Sequence, residues 1–311
     1  MADGAVREIH SPMSLASAAN ISDYFALLKP RVMSLVVFTG LVGIFLSPAT
    51  IHPVLAITAL FCIAAGAGAS GAINMWFDRD IDFKMERTRN RPIPSGRVSP
   101  GSALGIGVWL SFGSVTLMGL AANWVAAALL AFTIFFYVFV YTMWLKRRTP
   151  QNIVIGGAAG ALPPVVGWAA TSGDVTLLPI ILFAIIFLWT PPHFWALAIT
   201  RAEEYKEANV PMLPVVAGSR RTRSQIFWYS MLLVACSFGP VFVGFSGFVY
   251  GTIAAILGLG FLALAFSVFI STSYESCRRL FGYSILYLFV VFLGLGIDHM
   301  VSMSSLSLSV V

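Results

Sequence analysis

Charge is the first thing this chain is short of. Asp, Glu, Lys and Arg together make up 10% of its 311 residues, against about a quarter in a soluble globular domain. Too few charges remain to coat a water-facing surface, which excludes an ordinary cytosolic enzyme, and a hydrophobic fraction of 58% excludes a disordered chain. The same apolar, charge-poor composition excludes a nucleic-acid binder. Cysteine is scarce too: Cys62, Cys236 and Cys277 form no CxxC and no recognisable pair. Neither a disulfide framework nor a structural zinc site is expected. The first 31 residues lack an apolar stretch and carry Asp3, Glu8 and Asp23, so they read as a tail rather than a signal or transit peptide.

What the chain has in abundance is long apolar runs. A bilayer-crossing helix needs roughly 20 mostly apolar residues, and nine such runs can be marked, at about 32–49, 54–77, 102–122, 124–145, 153–171, 175–200, 226–247, 251–270 and 281–298. They are apolar on every side rather than in alternation, as in Ala126 to Trp144, which favours helices over the strands of a membrane barrel. The expected fold is therefore all-α, a polytopic membrane helix bundle of nine transmembrane helices. Residues 1–31 form a tail, 32–298 a single transmembrane unit, and 299–311 a short C-terminal tail.

The 19 Lys and Arg residues fall only before the first run and in the second, fourth, sixth and eighth connections. Under the positive-inside rule this alternation puts the N-terminus in the cytoplasm and the C-terminus on the far side. The net charge of +6 then belongs to one face, where it attracts anionic lipid headgroups or anionic substrates. The two long connections, about 78–100 and 201–225, lie on that face, and chemistry is expected there.

In the first of these connections Asn74, Asp78 and Asp82 are spaced i, i+4, i+8, which sets all three on one face of a helix continuing past the membrane surface. Carboxylates so placed repel unless a cation lies between them. Magnesium is the hard cation held by one or two carboxylates together with substrate phosphate oxygens. Arg87, Arg89 and Arg91 follow closely, with forked donors suited to phosphate. A diphosphate substrate with magnesium is one reading; a solvated loop whose acids and bases pair with each other is the other. The basic run at Lys146, Arg147 and Arg148 serves phosphate contact or topology alone.

The sixth connection supplies Glu203, Glu204 and Glu207, of which Glu203 and Glu207 repeat the four-residue spacing. Just upstream, Pro191 and Pro192 precede His193 within an apolar run. Prolines there free backbone carbonyls, and His193 lies roughly 10 Å inside the cytoplasmic end at 1.5 Å per residue. A histidine at that depth serves as an iron ligand or proton-transfer group, or it is a neutral ring bonded to an opened carbonyl.

These residues together resemble the UbiA-type intramembrane prenyltransferases. The resemblance spans about Tyr24 to His299. It is carried by Leu28-Lys29-Pro30-Arg31-Val32, Asn74-x-x-x-Asp78-x-x-x-Asp82, Met85-x-Arg87-Thr88-x-x-Arg91-Pro92, and Thr149-Pro150-x-Asn152-Ile153-x-Ile155-Gly156-Gly157. Pro191-Pro192-His193-Phe194-Trp195, Pro211-Met212-Leu213-Pro214 and Tyr283-Ser284-x-x-Tyr287-Leu288 complete it. The Pro-Pro-His-Phe-Trp run points to the heme-modifying branch of that family. The resemblance implies transfer of a farnesyl group from farnesyl diphosphate to the C2 vinyl group of heme B, with water adding, to give heme O. It implies that Asn74, Asp78 and Asp82 hold magnesium (Mg2+) on the diphosphate, with Asp78 and Asp82 as the metal ligands. Arg87, Arg91 and Lys146 would neutralise the leaving group, His193 would position heme, and Glu203 and Glu207 would form a second acidic set. It further implies a bacterial inner-membrane enzyme with its active site toward the cytoplasm, in contact with membrane lipid and with the heme A synthase step. A quinone-pathway aromatic prenyltransferase, a non-catalytic heme-handling membrane protein and a transporter are the alternatives.

Overall fold

The computed structural model describes residues 19–309, with side chains as far as Ser302. Residues 1–18, which hold most of the expected N-terminal tail, lie outside the described residues. A segment surrounded by lipid has no water to bond its N–H and C=O groups, so each apolar run must close its own hydrogen bonds and become helical. Among the described residues every regular element is a helix.

Helix α1 (Ile21–Leu27) meets α2 (Pro30–Leu46) at 55° across Leu28 and Lys29. Then follow α3 (Pro53–Phe77), the short α4 (Arg79–Lys84), α5 (Pro100–Ala121) and α6 (Trp124–Phe135). The last continues as a π-helix over Phe136–Trp144 and a 3-10 turn over Leu145–Arg147. Next come α7 (Asn152–Ala161), α8 (Pro163–Ser172), α9 (Leu177–Thr200), α10 (Ala202–Glu207), α11 (Leu213–Ser237), α12 (Gly239–Phe242), α13 (Phe248–Ile270) and α14 (Tyr274–Ser309). Proline opens α2, α3, α5 and α8, the position where its missing N–H costs nothing.

Eight of the described helical stretches are long and apolar enough to cross a bilayer, and the bent α1–α2 pair makes a ninth. The chain is an integral membrane protein. The marked runs correspond to these stretches, but α1 and the start of α2 lie in the expected N-terminal tail, α14 runs on to Ser309 through most of the expected C-terminal tail, and two places between differ as well. The segment 201–225, expected as one polar connection, holds α10 and the first part of α11. Arg220, Arg221 and Arg223 lower its hydropathy, yet arginine is a good helix former, and Gly218 at φ 78°, ψ 161° leaves the helical region, so α11 consists of two helical pieces joined across a kink there. The acid row is also not on one unbroken helix: α3 stops at Phe77 and α4 starts at Arg79. The amides of Asp78 and Asp82 still bond the carbonyls four residues back, at 2.9 and 2.8 Å, so the shared face survives the break.

The core divides into two main clusters. One gathers residues of α9, α11, α13 and α14, including Trp195, Phe261, Tyr287 and Phe292; the other gathers residues of α3, α6 and α8, including Cys62, Ile63, Leu130 and Val166. Between them α2 and α8 touch backbone to backbone. A Cβ on Gly43 would stand 2.1 Å from the carbonyl oxygen of Pro164, and one on Gly167 2.2 Å from that of Gly40. Only glycine fits at such a crossing.

Helix α13 contains no charged residue, and both its ends are held by charges from other helices. Asp298 of α14 accepts from the amides of Gly247 and Tyr250 at 2.7 and 3.1 Å. The buried Arg223 of α11 donates to the carbonyls of Val268, Thr272 and Ser273 at 3.0 to 3.1 Å. An anion at the N-terminus and a cation at the C-terminus both suit the helix dipole.

Candidate active site

The end of α3 and the start of α4 bring Asn74, Asp78 and Asp82 together and bury them, with 4%, 0% and 3% of their surfaces exposed. Burying carboxylates is costly unless cations and donors meet them, and each one here is met. Lys146 Nζ lies 2.5 Å from Asp78 Oδ2, and Arg147 Nη2 lies 3.4 Å from Asp78 Oδ1. Arg91 Nη1 lies 2.7 Å from Asp82 Oδ2. Asn74 links them: its amide donates to Asp78 Oδ2 at 2.7 Å and to Thr142 Oγ1 at 3.1 Å, and its carbonyl oxygen accepts from Lys29 Nζ at 2.6 Å. The acids thus pair with bases, as the plainer reading of the sequence expected, but they do so inside the bundle.

Two backbone departures build this arrangement. The π-helix Phe136–Trp144 supplies Thr142 and leads directly into the turn carrying Lys146 and Arg147; stretches of this kind are frequent at functional sites. Lys29 stands at φ 52°, ψ 54°, a left-handed conformation that costs a non-glycine residue about 1–2 kcal/mol. The bend it makes turns its ammonium toward Asn74. At the outer edge Arg147 forks onto Asp80 at 2.7 and 2.8 Å, and this guanidinium holds the Asp80 carboxyl below the usual carboxylate range.

Three bases, Arg91, Lys146 and Arg147, therefore pair with three carboxylates, Asp78, Asp80 and Asp82, while Lys29 bonds the Asn74 carbonyl oxygen. Arg87 is exposed and makes no ion pair among the described residues. Among the described residues no group of three or more His, Cys, Asp or Glu side chains is placed to hold a metal without outside ligands. Two buried carboxylates and the Asn74 carbonyl are hard oxygen donors, a set that fits magnesium completed by phosphate oxygens.

The second acidic set is arranged otherwise than its spacing implied. Glu203 has 83% of its side chain exposed and meets only Lys206, at 3.8 Å; Glu207 is exposed as well. On the six-residue α10 the inward side is taken by Tyr205, so the four-residue spacing aligns two glutamates that face outward. The inward acid is Glu204: Arg201 donates to its Oε1 at 2.6 Å, while its Oε2 is sealed and unpartnered.

His193 lies on the uninterrupted α9. Its ring stacks between Trp189 and Phe281, with centroids at 4.3 and 4.5 Å, and Phe194 meets it edge-on at 5.6 Å. Its Nδ1 lies 2.6 Å from Ser284 Oγ. Sequence reasoning did not single out Lys29 or Thr142 for the site, and it named Arg147 only within a basic run that topology alone could explain. The bases had been absorbed by topology, and a lone threonine carries no signal; only Leu28-Lys29-Pro30-Arg31 hinted at the first.

Residues 36–295 match the model of the UbiA prenyltransferase family. A protoheme IX farnesyltransferase of Parvibaculum lavamentivorans is 60% identical over 90% of each chain, and one of Nitrobacter hamburgensis is 58% identical over 91% of this chain and 92% of its own. Among solved structures, one of a digeranylgeranylglyceryl phosphate synthase superposes with a TM-score of 0.75 at 19% identity, covering 90% of this chain and 98% of that one. A UbiA homologue from Archaeoglobus fulgidus bound to DMAPP and Mg2+ superposes with a TM-score of 0.64 at 18% identity, covering 88% and 99%.

Proposed function

This chain belongs to the UbiA prenyltransferase family, and from that membership we propose that it transfers a farnesyl group from farnesyl diphosphate to the C2 vinyl group of heme B, with addition of water, giving heme O and diphosphate. The observation that carries the diphosphate half is the buried pair Asp78 and Asp82, each held by a base that a phosphate could also engage. Similarity over nine-tenths of the chain to proteins named protoheme IX farnesyltransferase supports heme as the acceptor.

In this reading Asp78, Asp82 and the Asn74 carbonyl hold magnesium, whose charge, once bound, stabilises the departing diphosphate. Lys146 and Arg91, which pair with Asp78 and Asp82, and Arg87 at the surface are the bases that would donate to diphosphate oxygens. Preorganised cations in a dry setting act more strongly than they would in water. The allylic cation formed as the diphosphate leaves must meet the vinyl carbon before it meets water, and an apolar bundle provides that exclusion. His193, boxed by aromatic rings, positions the heme. By the charge alternation, the site opens to the cytoplasmic side of a bacterial inner membrane, where the product is at hand for the heme A synthase step.

The test is mass analysis of heme extracted after detergent-solubilised protein is incubated with heme B, farnesyl diphosphate and magnesium. A gain of farnesyl plus water that disappears without magnesium, and in Asp78→Ala, is expected. No gain from folded, heme-loaded protein would refute the assignment.

A further inference from the structure

Ser284 occupies a place that the proposed reaction leaves unexplained. It is fully buried on α14, and its Oγ lies 2.6 Å from His193 Nδ1 and also 2.6 Å from the Phe281 carbonyl oxygen. A hydroxyl has one proton to give. A carbonyl oxygen has none, so the contact with Phe281 exists only if Ser284 donates there. Ser284 Oγ must then accept from His193, which puts the imidazole proton on Nδ1. In the neutral ring the other nitrogen, Nε2, then keeps its lone pair.

The surroundings preserve that assignment. Trp189 and Phe281 stack on the two faces of the ring and confine it to one plane. The Trp189 indole donates to the Ser284 carbonyl at 2.7 Å, so the helix that carries His193 is pinned to the residue that reads its proton. Nε2 makes no hydrogen bond among the described residues and is not one of the sealed, unpartnered polar atoms. A neutral histidine with one nitrogen hydrogen-bonded to a fixed acceptor and the other bare is the form that ligates a metal.

We propose that Ser284 is a positioning residue that fixes His193 as its Nδ1–H tautomer and thereby presents Nε2 as an axial ligand to the iron of the heme substrate. This rests on the reading of heme as acceptor. It adds that the ring is held by its iron, and that a hydroxyl on α14 sets how well His193 on α9 can hold it.

The experiment is a titration of the purified full-length protein with ferric heme B, without farnesyl diphosphate, followed by absorbance and electron paramagnetic resonance. The wild type is expected to give a nitrogen-ligated signature that His193→Ala abolishes. Ser284→Ala should weaken heme binding by about 10-fold or more, the usual cost of losing such a support, and shift the signature. Ser284→Cys, close in size but a poor acceptor, should fall between, a grading that a pure packing role would not produce. If the wild type binds no heme, the acceptor reading itself fails. If it binds heme with a signature that His193→Ala leaves unchanged, iron ligation is overturned. A signature lost in His193→Ala but equal in affinity and shape across the Ser284 series overturns the positioning role.

Discussion

Lys146→Met separates the two tasks given to Lys146, because one is felt without magnesium and the other with it. In the structure Lys146 Nζ sits 2.5 Å from a carboxylate oxygen of Asp78, which has no solvent contact. Breaking a buried ion pair by removing one partner costs about 3–5 kcal/mol. Part of that is retained here, since Asn74 still donates to Oδ2 and Arg147 remains 3.4 Å from Oδ1. A loss of about 2–3 kcal/mol is the resulting expectation, worth a fall of roughly 3–5 °C in melting temperature for a chain of this size. Magnesium with a non-reactive farnesyl diphosphate analogue replaces the missing positive charge beside Asp78, so the deficit should shrink when both are present. Turnover should nevertheless fall by about 10² to 10³, the effect of deleting one preorganised charge at a developing anion. The assay is tryptophan-fluorescence melting in detergent, with and without magnesium and analogue, beside the heme mass measurement. A melting temperature within about 1 °C of wild type without magnesium, or an equal deficit in both conditions, would refute the reasoning.

Asp78→Ala and Asp82→Ala should each abolish farnesyl transfer while leaving a protein that elutes as a folded species from size exclusion; normal transfer in both would remove them from the site. Arg223→Met should lower stability by about 3 kcal/mol, because three carbonyls at the end of α13 lose one charged donor, and denaturant titration in detergent reads this directly. Gly167→Val drives a side chain into the Gly40 carbonyl and should prevent stable folding altogether, seen as aggregation on extraction. Asp80→Asn bears on pH. The Asp80 carboxyl is held low by Arg147, so its contribution is present above the unfolded carboxylate range near pH 4 and is lost as the pH falls through the lower folded value. Wild type and variant should therefore differ in melting temperature at pH 7 and converge on acidification below about pH 4; a gap that widens in acid would contradict the pairing.

The spans were legible because lipid makes a blunt demand, apolar residues for some twenty positions, and the bases between them could be placed without any structure. The row Asn74, Asp78, Asp82 was legible for a related reason: buried acids four apart have few uses. Glu203 and Glu207 show where spacing stops informing. It says that two residues share a face, and on a helix as short as α10 only packing decides whether that face looks in or out. The start of α11 was hidden because hydropathy reports what a helix touches, while three arginines leave helix formation intact. Lys29 and Arg147 were hidden by double duty, since a cation at the membrane edge serves topology and site with the same signature. The π-helix had no signal, as nothing in Phe136–Trp144 distinguishes five-residue from four-residue hydrogen bonding.

The borrowed ends of α13 bear on how this sequence can change over time. A helix that carries its own caps must keep particular residues at its own boundaries. Here those residues sit at Arg223 and Asp298, on neighbours that are held in place for other reasons. Helix α13 is the most hydropathic of the spans, at a mean hydropathy of 2.6, and only 28% of its most apolar stretch is buried inside the protein. Most of its positions therefore answer to lipid, which asks only that they be oily. Selection is expected to act lightly along α13 and heavily on two charged residues that its own sequence does not contain, so a drifting, low-complexity span can persist in a protein whose chemistry tolerates little change.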